Sequence, residues 1–297
     1  LRDDLVGARF LRLEIRFEDD LGVERFFVGV GNTREVLDLT GDGLPDLVDS
    51  RESECGTDAW CVYRNNGNGF EPTPIRWTAH GNRIRGTDID GKTVRSDVLD
   101  VDGDGRPDLV DATVYSPANP YWNVYRNSGQ GFTRAPVRFP APSGAISRSA
   151  TDLDRSFLLH GLHDMNGDGL PDFVRADVTG LGSPLPLSRP YWEVHLNTGF
   201  GFAVEPVQWR IEGALAMRLS NFISSHLLDP ASERTEGYDE LLDMNGDGRL
   251  DWVRHYNGAD YLAFGLDPLP CATSACSPTG SAAPPQCCFH TMVFLNT

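Results

Sequence analysis

The chain carries one nine-residue acidic segment four times over, and this repetition limits what it can fold into more than any other feature. The copies are Asp38-Leu-Thr-Gly-Asp-Gly-Leu-Pro-Asp46, Asp100-Val-Asp-Gly-Asp-Gly-Arg-Pro-Asp108, Asp164-Met-Asn-Gly-Asp-Gly-Leu-Pro-Asp172 and Asp243-Met-Asn-Gly-Asp-Gly-Arg-Leu-Asp251. Their first aspartates stand 62, 64 and 79 residues apart, a spacing that suits a four-stranded unit better than a helical pair. A second element follows each: Trp60-Cys-Val-Tyr-Arg-Asn65, Trp122-Asn-Val-Tyr-Arg-Asn127, Trp192-Glu-Val-His-Leu-Asn197 and Met292-Val-Phe-Leu-Asn296. Their alternating aromatic and β-branched residues read as strands. In three copies a Gly-x-Gly hairpin follows (Gly67 to Gly69, Gly129 to Gly131, Gly199 to Gly201), and then a strand running from Phe70, Phe132 or Phe202 to Trp77, Phe139 or Trp209.

Strand, acidic loop, strand, connection, strand, hairpin and strand, repeated radially, predict an all-β fold: a β-propeller of four-stranded antiparallel blades. The 31 glycines and 20 prolines leave little room for long helices. Residues 1–297 are read as one domain with repeats at about 18–77, 78–139, 140–209 and 210–297. The fourth repeat reaches Thr297 before its last strand, while Phe10 to Phe17 carries the matching pattern, with the same step of five from Phe10 to Ile15. Residues 8–17 are therefore expected to complete the fourth blade and close the ring, which hides two sheet edges; the alternative is an array cut in mid-blade. Extra length at 178–190, 211–240 and 256–288 is expected to decorate one face.

Within each acidic segment the side chains at positions 1, 3, 5 and 9 can converge on one point together with the position 7 carbonyl, an oxygen cage for a hard cation. The candidate ligands are Asp38, Thr40, Asp42, Leu44 and Asp46; Asp100, Asp102, Asp104, Arg106 and Asp108; Asp164, Asn166, Asp168, Leu170 and Asp172; and Asp243, Asn245, Asp247, Arg249 and Asp251. Oxygen donors without Cys or His favour Ca2+ over zinc or copper, and the number of carboxylates favours it over Mg2+, which keeps its waters. Up to four Ca2+ ions are expected. A surface turn that binds nothing is the alternative for a single copy, and four matched copies argue against it. An EF-hand needs Glu at position 12, where this chain has Asp49, Asp111, Arg175 and Arg254. Pro45, Pro107 and Pro171 also lead into strands rather than a helix. The second loop has four carboxylates and the others three, which ranks it tightest and the Thr40 loop weakest.

At these residues the chain resembles the FG-GAP or VCBS repeat family, best known from integrin α-subunit propellers, and the resemblance runs from about Phe10 to Asn296. It implies that each acidic loop joins the first two strands of a blade and holds Ca2+. The strand and Gly-x-Gly-Phe signature is most similar to repeats of bacterial toxin-complex B components and Rhs-type secreted proteins. There the propeller would imply a docking or encapsulation scaffold attached to other domains. Thr40, in place of an acidic or amide ligand, weakens one site, and Leu250, in place of Pro, changes only the turn.

Acidic residues outnumber basic ones by 43 to 26, a formal charge of −17, which argues against nucleic acid or an anionic membrane as the main partner. No apolar run approaches the ~20 residues of a membrane span. The N-terminal Leu1-Arg2-Asp3-Asp4 carries neither Met nor a signal-peptide core, so a mature or excised piece of something larger is expected. Six cysteines outside the apolar strands favour disulfides and a secreted or cell-surface location over a zinc site, for which the spacings fit poorly. Cys55 is expected to pair with Cys61, and Cys271, Cys276, Cys287 and Cys288 to form two further bridges.

No H-E-x-x-H, G-x-S-x-G, P-loop or Rossmann pattern occurs. His160 and His163 fall on opposite faces of a strand, and Trp60, Trp122 and Trp192 recur at a blade-packing position. The sequence thus reads as a non-enzymatic Ca2+-binding module that docks a protein partner or neighbouring domains of a larger chain. The alternatives are a lectin that binds glycan through exposed aromatics in the insertions, and a polysaccharide hydrolase or lyase.

Overall fold

The computed structural model describes residues 33–51, 55–152, 155–176, 191–210, 221–223, 238–256, 290–294 and 296. The expected closing strand at 8–17, the four cysteines from Cys271 to Cys288 and most of the three insertions lie outside these residues. Among the described residues every regular element is a β-strand and every strand pair is antiparallel. The architecture is that of propeller-like blades.

Blade one is β1 (Arg34–Leu37), β2 (Asp46–Asp49), β3 (Ala59–Tyr63) and β4 (Ile75–Thr78), hydrogen-bonded in that order. After a short β5 (Gly86–Thr87), blade two repeats the order with β6 (Thr93–Leu99), β7 (Asp108–Asp111), β8 (Tyr121–Tyr125) and β9 (Val137–Pro140). Past β10 (Ser147–Asp152), blade three is β11 (Arg155–His163), β12 (Asp172–Arg175), β13 (Tyr191–His195) and β14 (Val207–Arg210). Then come β15 (Asn221–Ile223) and the described strands of blade four, β16 (Tyr238–Leu242), β17 (Asp251–Tyr256) and β18 (His290–Phe294).

The register repeats with the sequence. Trp60 faces Trp77, Trp122 faces Phe139 and Trp192 faces Trp209 across the outer strand pair of each blade. Two elements carry no repeat signature and break the expected separation of blades. β10 pairs with β6 on one side and β11 on the other, so that blades two and three share one sheet. β15, from the 211–240 insertion, adds to β11.

The apolar cores lie between blades. Trp60 and Trp77 of blade one bury against Leu109 and Phe132 of blade two. Trp122 and Phe139 bury against Phe173 and Phe202 of blade three, and Trp192 against Trp252 of blade four. Phe132 meets Trp60 edge-on at 5.4 Å between centroids, and Phe202 meets Trp122 in the same way at 5.2 Å. Trp60, Trp122 and Trp192 are at most 1% exposed, so all three serve blade packing and none is available to stack on a sugar. A blade whose core is completed by its neighbour depends on that neighbour for stability. Phe132→Ala should therefore cost about 3–5 kcal/mol in a denaturant titration. Phe200→Ala, at a side chain 77% exposed, should stay within about 0.5 kcal/mol of the parent.

Candidate metal centre

Each acidic segment links the first and second strands of its blade and folds around its first aspartate. Asp38 accepts the N–H of Gly41 and of Gly43, both at 2.8 Å, and Asp100, Asp164 and Asp243 hold the equivalent glycines at 2.7 to 2.9 Å. These glycines sit at positions 4 and 6 with φ between 75° and 86°, a left-handed backbone that a side chain would strain. The position 5 carboxylates of Asp42, Asp104, Asp168 and Asp247 accept the N–H of position 7 (Leu44, Arg106, Leu170 and Arg249) at 2.9 Å.

Position 9 is different. Asp46, Asp108, Asp172 and Asp251 are all 0% exposed, although each is charged and opens a strand. One oxygen of each accepts the backbone N–H of the asparagine that ends the third strand: Asn65 at 3.0 Å, and Asn127, Asn197 and Asn296 at 2.8 Å. The second oxygen accepts a loop amide in three blades, from Thr40 at 3.2 Å, Met165 at 3.0 Å and Met244 at 2.9 Å. In the second loop Asp108 Oδ2 is buried and has no hydrogen-bond partner, and Thr40 Oγ1 is in the same condition in the first. Leaving a buried carboxylate oxygen without a donor is expensive.

Asp100, Asp102 and Asp108 bring carboxylate oxygens within 4.8 Å of one another. Burial pushes Asp108 up to about 7; the Asn127 N–H opposes this, and the charges of Asp102, Asp104 and Asp100 add to it. Asp172 is pushed up to about 6, again chiefly by burial, against the N–H groups of Asn197 and Met165 and with help from Asp168 and Asp164. Asp104 stands apart from the second-loop trio and pairs with the Arg106 guanidinium, while Arg126 lies 3.2 Å from Asp102. Two guanidiniums thus offset part of the charge that ranked this loop first. In the third and fourth loops the Asn166 and Asn245 amides turn to Asp168 and Asp247, at 2.9 and 3.0 Å.

The asparagines were legible in sequence only as the start of a hairpin. Their recurrence at one place in all four units was the available signal for a second role. Cys55 and Cys61 are bonded, with Cα atoms 5.4 Å apart. His160 packs on Phe173 at 5.2 Å, and burial holds His163 down to about 4, both consistent with structural roles.

Residues 38–110 match the FG-GAP-like repeat. The FG-GAP-like region takes in the first two acidic loops. No curated protein matches the chain. Similar solved structures include an Agrocybe aegerita lectin described as recognising non-reducing terminal N-acetylglucosamine, at 17% identity and a TM-score of 0.39, over 76% of this chain and 48% of the lectin. A component of the Photorhabdus luminescens Tc holotoxin pore follows at 14% identity and TM-score 0.19, over 76% of this chain and 13% of that one. A chain of the TcdB2–TccC3–Cdc42 crystal structure gives 15% and 0.32, over 76% and 14%. The chain spans less than half the length of each.

The raised Asp108 and Asp172 fix a sign for the pH dependence of the cation-free protein. Between the ordinary carboxylate value near 4 and the folded values, the folded state holds protons that the unfolded state has released. Stability in EDTA should therefore fall as pH rises from about 4 to 7, read as melting temperature. Asp108→Asn should flatten that fall, and a melting temperature that climbs over this range would contradict the assignment.

Proposed function

We propose that this chain is a Ca2+-dependent, propeller-like binding module that serves as a protein-interaction scaffold within a secreted or cell-surface protein. The observation that carries the reading is the buried Asp108 oxygen, with no donor of its own, beside Asp100 and Asp102. A divalent cation supplies the positive charge that this trio lacks, and hard oxygen donors select calcium. The equivalent residues of the other loops, with Thr40, Asn166 or Asn245 at the third position, would hold up to three more ions. The FG-GAP-like match of residues 38–110 supports a repeat scaffold. The Cys55–Cys61 bond supports an oxidising compartment.

A binding role is favoured over an enzymatic one because the loop carboxylates recur at the same positions of every repeat, as a repeated scaffold requires, rather than converging on one site. Trp60, Trp122 and Trp192 are buried in the blade cores, so the second reading, a glycan-binding module, would rest on aromatics of the insertions. Among the described residues no helix is long and apolar enough to cross a membrane.

Thermal unfolding with calcium, magnesium or EDTA tests the reading. A ligand that binds only the native state stabilises by roughly 2.7 kcal/mol at a hundredfold excess over its Kd. Calcium should raise the melting temperature by several degrees and magnesium should not, and Asp108→Ala should remove part of the gain. Identical curves in calcium and EDTA, with no calcium found by elemental analysis, would overturn it. Arg126→Ala should tighten calcium binding at the second loop in a calorimetric titration, because it frees Asp102 from a competing cation.

A further inference from the structure

Five asparagines stand directly before a glycine: Asn66, Asn68, Asn166, Asn245 and Asn257. Asn257 lies outside the described residues. In such a pair no Cβ on the glycine keeps its nitrogen from the asparagine Cγ, so a nucleophile and an electrophile stand one residue apart. Whether they meet is decided by what holds the glycine N–H and the asparagine amide in the folded protein.

In the third and fourth acidic loops both groups are held. Gly167 and Gly246 donate their N–H groups to Asp164 at 2.8 Å and to Asp243 at 2.7 Å. The Asn166 amide gives Nδ2 to the Asp168 carboxylate at 2.9 Å and accepts the Asp168 N–H at 3.0 Å, and Asp247 holds Asn245 in the same way. The carboxylates on the glycine amides act twice: they bind the N–H more strongly than a neutral acceptor does, and their charge disfavours loss of its proton. In the hairpin of blade one the Gly67 N–H has a neutral acceptor, Asn65 Oδ1 at 2.9 Å, and the Asn66 amide oxygen accepts the Asn68 N–H at 3.0 Å. Asn68 and Gly69 differ from all of these. Among the described residues neither the Asn68 side chain nor the Gly69 N–H has a hydrogen-bond partner. Asn68 is exposed, and a Cβ at Gly69 would meet nothing within 4 Å.

We propose that Asn68 is a self-modifying site, which deamidates in the folded protein while the fold protects Asn166 and Asn245. The Gly69 nitrogen, its proton taken by hydroxide, attacks Asn68 Cγ. The new N–Cγ bond closes a five-membered imide, the Cγ–Nδ2 bond breaks, and ammonia leaves with a proton from water. Water then opens the imide at either carbonyl and leaves an aspartate or an isoaspartate, with no change of oxidation state. The product adds a negative charge to a chain already at −17. Isoaspartate also puts an extra main-chain carbon into a hairpin closed by the bond from the Asn66 N–H to the Gly69 carbonyl, at 3.0 Å. That hairpin follows directly on Asn65, whose N–H Asp46 accepts, so the change lands beside the clasp of the first acidic loop. None of this depends on calcium, and it can fail while the calcium reading stands.

Peptide mapping by mass spectrometry reads the outcome as replacement of NH by O at each site. The protein is incubated at mildly alkaline pH and body temperature, in EDTA, and kept folded as judged by circular dichroism. Asn68 should convert first, to both aspartate and isoaspartate, the latter confirmed by isoaspartate-specific enzymatic methylation. Asn66 should follow, and Asn166 and Asn245 should lag Asn68 roughly tenfold or more, the factor set by a hydrogen bond that must be released before the imide closes. In guanidinium chloride, where the fold is lost, the four rates should converge. Asn68→Gln, whose longer side chain would have to close a six-membered ring, should abolish the fast conversion and leave the other three rates unchanged. A folded chain in which Asn166 or Asn245 converts as fast as Asn68 overturns the proposal. So does a lag at Asn166 and Asn245 that survives denaturation, which would assign the difference to local sequence rather than to the fold.

Discussion

The carboxylate at the ninth position of each acidic segment accepts the N–H of the asparagine that ends the third strand, and in three of the four blades the amide of that asparagine reaches the blade before it. One clasp therefore does two things. Within a blade it ties the loop between the first two strands to the far end of the third. Between blades it ties one acidic loop to the next. The aspartate is wholly buried in all four copies. A hydrogen bond of this kind contributes about 1–3 kcal/mol, and breaking it leaves buried groups unsatisfied on two blades at once.

This arrangement explains why the loops are acidic and also tightly wound. The first and fifth aspartates turn the chain by holding its amides, and the glycines at positions 4 and 6 allow the left-handed backbone. In the second loop the buried ninth carboxylate also lies within 4.8 Å of the first and third, with its charge poorly compensated. A cation there would neutralise the charge and stiffen the same corner from which the asparagine clasp leaves. Cation binding there would be coupled to blade-to-blade packing through this charge. The arginines at Asp102 and Asp104 are a partial protein-made answer to it.

Much of this was legible in the sequence because repetition multiplies weak local signals. The four D-x-x-x-D-G-x-x-D segments, the Trp-x-Val strands and the Gly-x-Gly hairpins gave the strands and their order. The Trp60–Trp77 and Trp122–Phe139 registers follow directly from that pattern. β10 and β15 were hidden because each occurs once and carries no repeat signature. The role of the asparagines was hidden for another reason: Asn before Gly-x-Gly already has a sufficient local explanation in the hairpin. Charge counting likewise could not foresee that Arg126, distant in sequence from Asp102, would offset part of the second loop's advantage.

The most direct measurement is an anomalous difference map from crystals grown in calcium. A peak is expected at each acidic loop, within about 2.3–2.6 Å of carboxylate oxygens, with Asp108 Oδ2 among the ligands at the second. A map without peaks at saturating calcium, in which Asp108 Oδ2 instead takes a donor from protein or water, would contradict the claim that these loops are cation sites.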